Sequence, residues 1–263
     1  MIDCHVHTHR CRHATGTPLE YVAAAERAGV DILTITDHLP LLDGSETDYA
    51  MRWHELPGYV DDVLQLRDRA AEPRVLLGIE ADWGAETEPM LRGVLSEYPF
   101  DVVLGSVHFI DGWAFDDPDL TARYGEWDID GLWMRYFSDL ADAARSGLFD
   151  VMAHPDLIKK FRFRPTFDPQ GLFEEAAEAF AAAGVAIEVN SAGLRKPCAE
   201  LYPSAAFLAT CRRHGVACSF GSDAHQPEEV GYGWDAARDA LLEAGYDSVV
   251  FFEERIARER GIE

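Results

Sequence analysis

Ile2-Asp3-Cys4-His5-Val6-His7, then Thr17-Pro18-Leu19-Glu20 closed by Gly29, then Asp31-Ile32-Leu33-Thr34-Ile35-Thr36-Asp37-His38, form the stretch that decides the fold. Its first and last segments are short apolar runs with little alternation, the pattern of strands buried on both faces. Between them Thr17 and Glu20 make a capping box with Pro18 at the first helical position, and Gly29 ends the helix. Strand, helix and strand in so short a span predict a βα rhythm.

The rhythm continues outward. Arg74 to Asp82, Val102 to Phe109, Phe149 to Pro155, Val185 to Ser191 and Val216 to Asp223 are further apolar runs, making seven in all. Asp168-Pro169 opens a helix that Gly184 closes, and helices are expected over about 52–71, 86–97, 126–146, 203–214 and 235–244. An eighth run, Ser248 to Phe252, reads either as a last strand or as a packing tail. Seven or eight parallel strands with helices between them, in 263 residues, predict an α/β fold closed into a barrel. A doubly wound open sheet is the alternative, but no G-x-G-x-x-G follows the first strand. Barrels of ~250 residues are commonly one unit, so residues 1–263 are read as a single domain.

With 48% hydrophobic and 27% charged residues the chain can bury a proper core as a soluble protein. Its 47 acidic residues against 23 basic ones give a formal charge of −24. Such a surface repels phosphate backbones and anionic lipids, so neither nucleic acid nor membrane is an expected partner. The start of the chain lacks a basic and apolar leader, and no apolar run approaches ~18 residues, so a cytoplasmic location is expected. Composition leaves the oligomeric state open. Five cysteines without a C-x-x-C pair argue against a disulfide framework. They are expected as small buried hydrophobes, with Cys11 set apart by the histidines around it.

Six of the seven runs end in, or lead into, a residue that can bind metal: His5-Val6-His7, Thr36-Asp37-His38, Gly78-Ile79-Glu80, Ser106-Val107-His108, Ala153-His154-Pro155 and Ser222-Asp223-Ala224-His225. The sixth run ends Val189-Asn190-Ser191 instead. In a parallel barrel these termini open on one face. Residues i and i+2 of a strand point to the same side, so His5 and His7 can reach one cation. Imidazole with carboxylate and no thiolate suits zinc, manganese or ferrous iron. A single histidine at a strand end is readily a hydrogen-bonding residue, but burying so many together without a cation would leave much polar surface unpaired. His9, His54 and His214 lie outside this pattern.

On these residues, with His13 following His7-Thr8, the chain resembles the polymerase and histidinol phosphatase (PHP) superfamily over nearly its whole length. The stretch from Glu188-Val189-Asn190-Ser191 through Arg195-Lys196 to Glu200-Leu201-Tyr202-Pro203-Ser204 is similar to the one that marks the histidinol-phosphatase branch. The resemblance implies a distorted, seven-stranded, TIM-like parallel β/α barrel carrying three divalent transition metal ions, zinc, manganese or iron. It implies hydrolysis of a small-molecule phosphomonoester, L-histidinol phosphate, to L-histidinol and phosphate in histidine biosynthesis. Carried over by residue, one cation would take His5, His7, Glu80 and Asp223, a second Glu80, His108 and His154, and a third His13, His38 and His225.

Two such cations lower the pKa of a shared water from ~15.7 towards neutral, which makes a bridging hydroxide the expected nucleophile. Asp37, Glu80, Asp223 and His225 form the expected catalytic set, Asp37 being one candidate proton donor to the leaving alkoxide. Lys160, Arg162 and Arg195 are expected at the phosphate, the arginines because their fork matches its oxygens. Lys159 and Arg164 read as solvated charges. Phe109, Trp113 and Tyr202 are placed beside the mouth, for the substrate's ring or for packing. The same scaffold could serve a nucleotide or phosphotyrosine. An amidohydrolase also begins with H-x-H, but no lysine here ends a strand. A noncatalytic metal-binding module would need an incomplete ligand set, and none of the positions is missing.

Overall fold

A computed structural model describes residues 1–44, 47–69 and 72–262. Seven strands, β1 (Ile2–Val6), β2 (Ile32–Ile35), β3 (Arg74–Asp82), β4 (Val102–Ser106), β5 (Val151–Met152), β6 (Ala186–Asn190) and β7 (Cys218–Gly221), form one sheet in that spatial order. Every neighbouring pair is parallel. The sheet curls until its edges meet: the Asp223 amide donates to the His5 carbonyl at 2.8 Å and the His7 amide to the Ala224 carbonyl at 2.9 Å. Every residue of β1, β2, β4, β5, β6 and β7 is buried, which is why the runs show no polar alternation. The fold is thus the distorted seven-stranded β/α barrel expected from the sequence.

Among the described residues seven α-helices surround it: α1 (Pro18–Ala28), α2 (Leu56–Arg69), α3 (Glu88–Glu97), α4 (Ile129–Arg145), α5 (Gln170–Ala183), α6 (Ala205–Arg213) and α7 (Trp234–Ala244). The α1 capping box forms as read, and Gly29 ends the helix at φ +71°. The helix expected over 52–71 begins as a 3-10 turn at Trp53–Glu55, and its last expected residues, 70 and 71, lie outside the described residues. One buried apolar cluster runs from Ile2 through the barrel and helices to Ile262.

Two departures shape the ends of the barrel. The fourth run stops as a strand at Ser106, and Phe109–Ile110 turns back against Trp113–Ala114 as a short antiparallel ribbon beside the mouth. The eighth run is a strand, but of a separate sheet: β8 (Ser248–Glu253) pairs antiparallel with β9 (Ile256–Gly261). This hairpin covers the N-terminal end of the barrel, where Arg255 donates to Asp150 and to the Leu148 carbonyl and Arg260 meets Asp31. No helix among the described residues is long and apolar enough to cross a membrane. All five cysteines are free and buried.

Candidate metal centre

The loops at the C-terminal ends of the strands bring nine imidazole and carboxylate side chains to one mouth, and Glu80 stands at its middle. Its Oε2 lies 3.2 Å from His5 Nε2, 3.3 Å from His7 Nε2 and 3.1 Å from His38 Nδ1. Its Oε1 lies 3.0 Å from His154 Nε2 and 3.6 Å from His108 Nε2. Asp223 Oδ1 joins the first group at 3.3 Å from His7 Nε2 and 3.9 Å from His5 Nε2. His13 Nε2 and His225 Nε2 meet at 2.9 Å, and both rings lie against those of His7 and His38 or His7 alone. The His7, His38 and His225 ring nitrogens also fall within 4.8 Å of one another. Glu80 therefore faces both of the first two groups, one oxygen to each.

The local backbone is bent to achieve this. His154 (φ +28°) and Asp223 (φ +51°) hold left-handed conformations that non-glycine residues seldom adopt, a cost found where function demands it. Gly221 precedes Asp223 because no larger residue fits: a Cβ there would sit 2.0 Å from Glu188 Oε1 and 2.5 Å from His5 Cβ.

Outer partners fix which nitrogen of each ring is free. His5 Nδ1 donates to Glu188 at 2.8 Å, His108 Nδ1 to Asp82 at 2.9 Å, His13 Nδ1 to the Cys11 carbonyl at 2.7 Å and His225 Nδ1 to the Asp223 carbonyl at 3.0 Å. In the neutral form of each ring, Nε2 is then the lone pair that can meet a cation. The His5 and His7 Nε2 atoms lie 2.9 Å apart, as do those of His13 and His225. Burial, and then the adjacent imidazoles, push His38 and His225 well below the ordinary histidine range. Burial opposes ionisation of Glu80 and Asp223, but the surrounding imidazoles hold both well below the ordinary carboxylate range. Nearby carboxylates raise His5, His7 and His108 against the effect of burial. Carboxylates and imidazoles gathered this closely are the donor set of a divalent metal site, and the residues fit one. His154 Nδ1 is buried without a hydrogen-bond partner.

The mouth opens into a cavity of about 420 Å³, within the range of small-molecule sites. Lys160 lines it, donating to the Asp116 carboxylate at 3.0 Å. Lys196 lines it too, and its ammonium makes no ion pair among the described residues; burial, then Lys160 and Arg195, lower its pKa. Neither arginine expected at phosphate lines this cavity. Arg195 lies outside the lining: it donates to the Ser222 and Asp223 carbonyls at 2.9 and 3.3 Å and stacks 4.7 Å from the Tyr232 ring, bracing the loop that carries Asp223. Arg162 is exposed and donates to the Pro197 carbonyl.

Asp37, expected as a proton donor, is fully buried and does not line the cavity; its oxygens accept from the Thr8 amide and hydroxyl, both at 2.6 Å. Lys159 is not a solvated charge. It is fully buried, paired with Asp156 at 2.9 Å and donating to the Leu201 carbonyl at 2.6 Å, so the pairing permits the burial. Arg164 is exposed and pairs with Glu200 at 2.6 Å. Phe109 and Tyr202 line the cavity, whereas Trp113 is buried against Tyr124 and Trp127.

The sequence reading missed the outer partners. Glu188 sits inside an otherwise apolar strand, where a carboxylate must find a donor, and that isolated acid was the available signal. Asp82 ends β3 and is passed over in favour of the histidines, while Cys11, set apart by its neighbours, touches His7.

A PHP domain family model matches residues 3–192, and a PHP-associated model matches residues 208–244. The chain is 39% identical over 253 residues to the "Probable histidinol-phosphatase" of Deinococcus radiodurans, spanning 95% of this chain and 96% of that one. It is 27% identical over 262 residues to the histidinol-phosphatase of Bacillus subtilis, spanning 89% and 97%. The solved structure of histidinol phosphate phosphatase from Lactococcus lactis, complexed with zinc, L-histidinol and phosphate, shares the fold with a TM-score of 0.85 at 20% identity, over 98% of both chains. With most of its length matched and its strand-end residues gathered at one mouth, the chain belongs to the PHP domain family.

Proposed function

We propose that this protein is a metal-dependent histidinol-phosphatase that hydrolyses L-histidinol phosphate to L-histidinol and phosphate, a step of histidine biosynthesis. Its relatives at 39% and 27% identity carry that activity in their names. The observation that carries the reading is the convergence of four other strand ends on Glu80, with the ring nitrogens of His5, His7, His38, His108 and His154 facing its two oxygens. We read residues 1–263 as one metallophosphoesterase domain, supported by the continuous core.

The reading assigns three cations, zinc, manganese or iron. His5, His7, Glu80 and Asp223 would hold one, Glu80, His108 and His154 a second, and His13, His38 and His225 a third. Bound there, divalent cations supply Lewis-acid stabilisation of phosphoryl oxygens and a water of lowered pKa. The remaining work falls to this chain's own side chains. Lys160 and Lys196 face the cavity and offer ammonium groups to a phosphate dianion, drawing it in despite the total charge of −24. Asp116, beside Lys160, and Asp117 also line the cavity and offer carboxylates to the substrate's ammonium, and Phe109 and Tyr202 offer flat apolar faces to its imidazole. Arg195 holds the Asp223 loop in place through its backbone carbonyls. Asp37, shut off from the cavity, acts as a support, and the proton for the leaving alkoxide comes from a group that lines it.

Steady-state hydrolysis of L-histidinol phosphate, nucleoside monophosphates and aryl phosphates by metal-loaded protein tests the assignment. The expected outcome is a marked preference in kcat/KM for L-histidinol phosphate. A preference for nucleotides or aryl phosphates would overturn the substrate.

A further inference from the structure

His7 differs from the other ring ligands in what holds it. His5 and His108 lean on carboxylates, and His13 and His225 on backbone carbonyls. His7 Nδ1 meets sulfur: Cys11 Sγ at 3.3 Å. The same sulfur lies 2.9 Å from Asp37 Oδ1 and accepts the His38 amide at 3.0 Å. Cys11 and Asp37 are fully buried, and neither lines the cavity.

The bonding pattern closes without a leftover group. Thr8 fills Asp37 with two short donations, and the Asp37 oxygen nearest the sulfur can only accept, so the thiol hydrogen points to Asp37. The sulfur lone pairs then accept from His7 Nδ1–H and from the His38 amide. That leaves the His7 lone pair on Nε2, the atom 3.3 Å from both Glu80 Oε2 and Asp223 Oδ1. We propose that Cys11, anchored by Asp37, is a positioning residue that fixes the tautomer and direction of His7 and ties the His38 backbone to the same point.

His7, Cys11 and Asp37 are close enough to be taken for a further cation site. The geometry argues otherwise: His7 turns Nε2 towards Glu80, and both Asp37 oxygens are engaged by Thr8. A thiol suits this place because one large, polarisable atom spans three partners, which the shorter bond of a serine hydroxyl does not. The inference rests on the mouth being a metal centre and is independent of the substrate.

Zinc titration of metal-free wild type, Cys11→Ser and Cys11→Ala, with melting followed with and without zinc, tests it. Loss of an outer partner of a metal-bound histidine typically costs 10–100-fold in metal affinity. Cys11→Ala is expected to weaken the tightest zinc step about 10–100-fold and to shrink the zinc-induced rise in Tm, while Cys11→Ser recovers part of both. Cobalt-loaded wild type should show no thiolate-to-metal charge-transfer band. Wild-type zinc affinity in Cys11→Ala, or that band in the cobalt protein, would overturn the relay. If Cys11→Ala does not fold, the Cys11→Ser titration decides: unchanged affinity and Tm shift overturn it. Wild type that binds no zinc would overturn the metal centre itself, a result distinct from the other two.

Discussion

The two ends of the barrel use the same residue types for opposite ends. At the N-terminal end Asp31, Asp101 and Asp150 start strands or precede them. Asp31 takes the N-terminal ammonium at 2.8 Å and Arg260 at 2.5 Å, Asp101 takes the Leu77 amide at 2.9 Å, and Asp150 takes the Val103 amide at 2.8 Å and Arg255. Each carboxylate finds its countercharge or donor within the chain. At the C-terminal end the Glu80 and Asp223 carboxylates face a ring of imidazoles, with the Ser106 hydroxyl and the Asn190 amide as further donors, and among the described residues no arginine pairs with either carboxylate. A carboxylate met by arginine and amide needs nothing further. Carboxylates gathered among six imidazoles are the donors of a cation, so one end is a foundation and the other a site.

Substitutions at the two ends should therefore divide cleanly between stability and turnover. The largest effect is expected at Glu80, the one carboxylate facing both groups: Glu80→Gln should lower kcat by well over tenfold, more than ~1.4 kcal/mol in barrier, with circular dichroism unchanged. If it keeps more than about a tenth of wild-type turnover, the two ends are less distinct than described. Next comes Lys196, which lines the cavity without touching the metal ligands. Losing a charge-assisted contact of ~1.5–3 kcal/mol should lower kcat/KM roughly 10- to 100-fold while elemental analysis finds the metals retained. Metal loss in Lys196→Ala would place it among the supports instead. The smallest catalytic effect belongs to the opposite end. Arg255→Ala removes the partner of Asp150 and should cost ~1–2 kcal/mol in denaturant unfolding with kcat of the folded protein unaltered. A tenfold fall in kcat there would break the division.

The comparison also explains what could be read from the sequence. Strands buried on both faces leave uninterrupted apolar runs, so the barrel was legible from Ile2–His7 onward. Ligands at strand ends share one face by construction, so their gathering followed from topology. What stayed hidden was held by partners distant in sequence. Lys159 sits in a basic run that reads as solvated, yet its position is set by Asp156 and by the Leu201 carbonyl and Glu200 on another loop. Arg195 reads as a phosphate clamp from its loop, and what its loop alone does not show is that its Nη2 donates to the Ser222 and Asp223 carbonyls. The strand β9, Ile256–Gly261, carries Arg258, Glu259 and Arg260 on an exposed edge and gave no apolar signal. Cys11 was conspicuous by its neighbours, but only the folded loop shows what its sulfur holds.

The most direct test of the account is the metal content of fully active protein purified without chelator, measured by elemental analysis against chain concentration. Nine converging ligand side chains predict between two and three divalent transition metal ions per chain, with activity lost to chelator and restored by zinc or manganese. A reproducible value of one or fewer in fully active protein would contradict it.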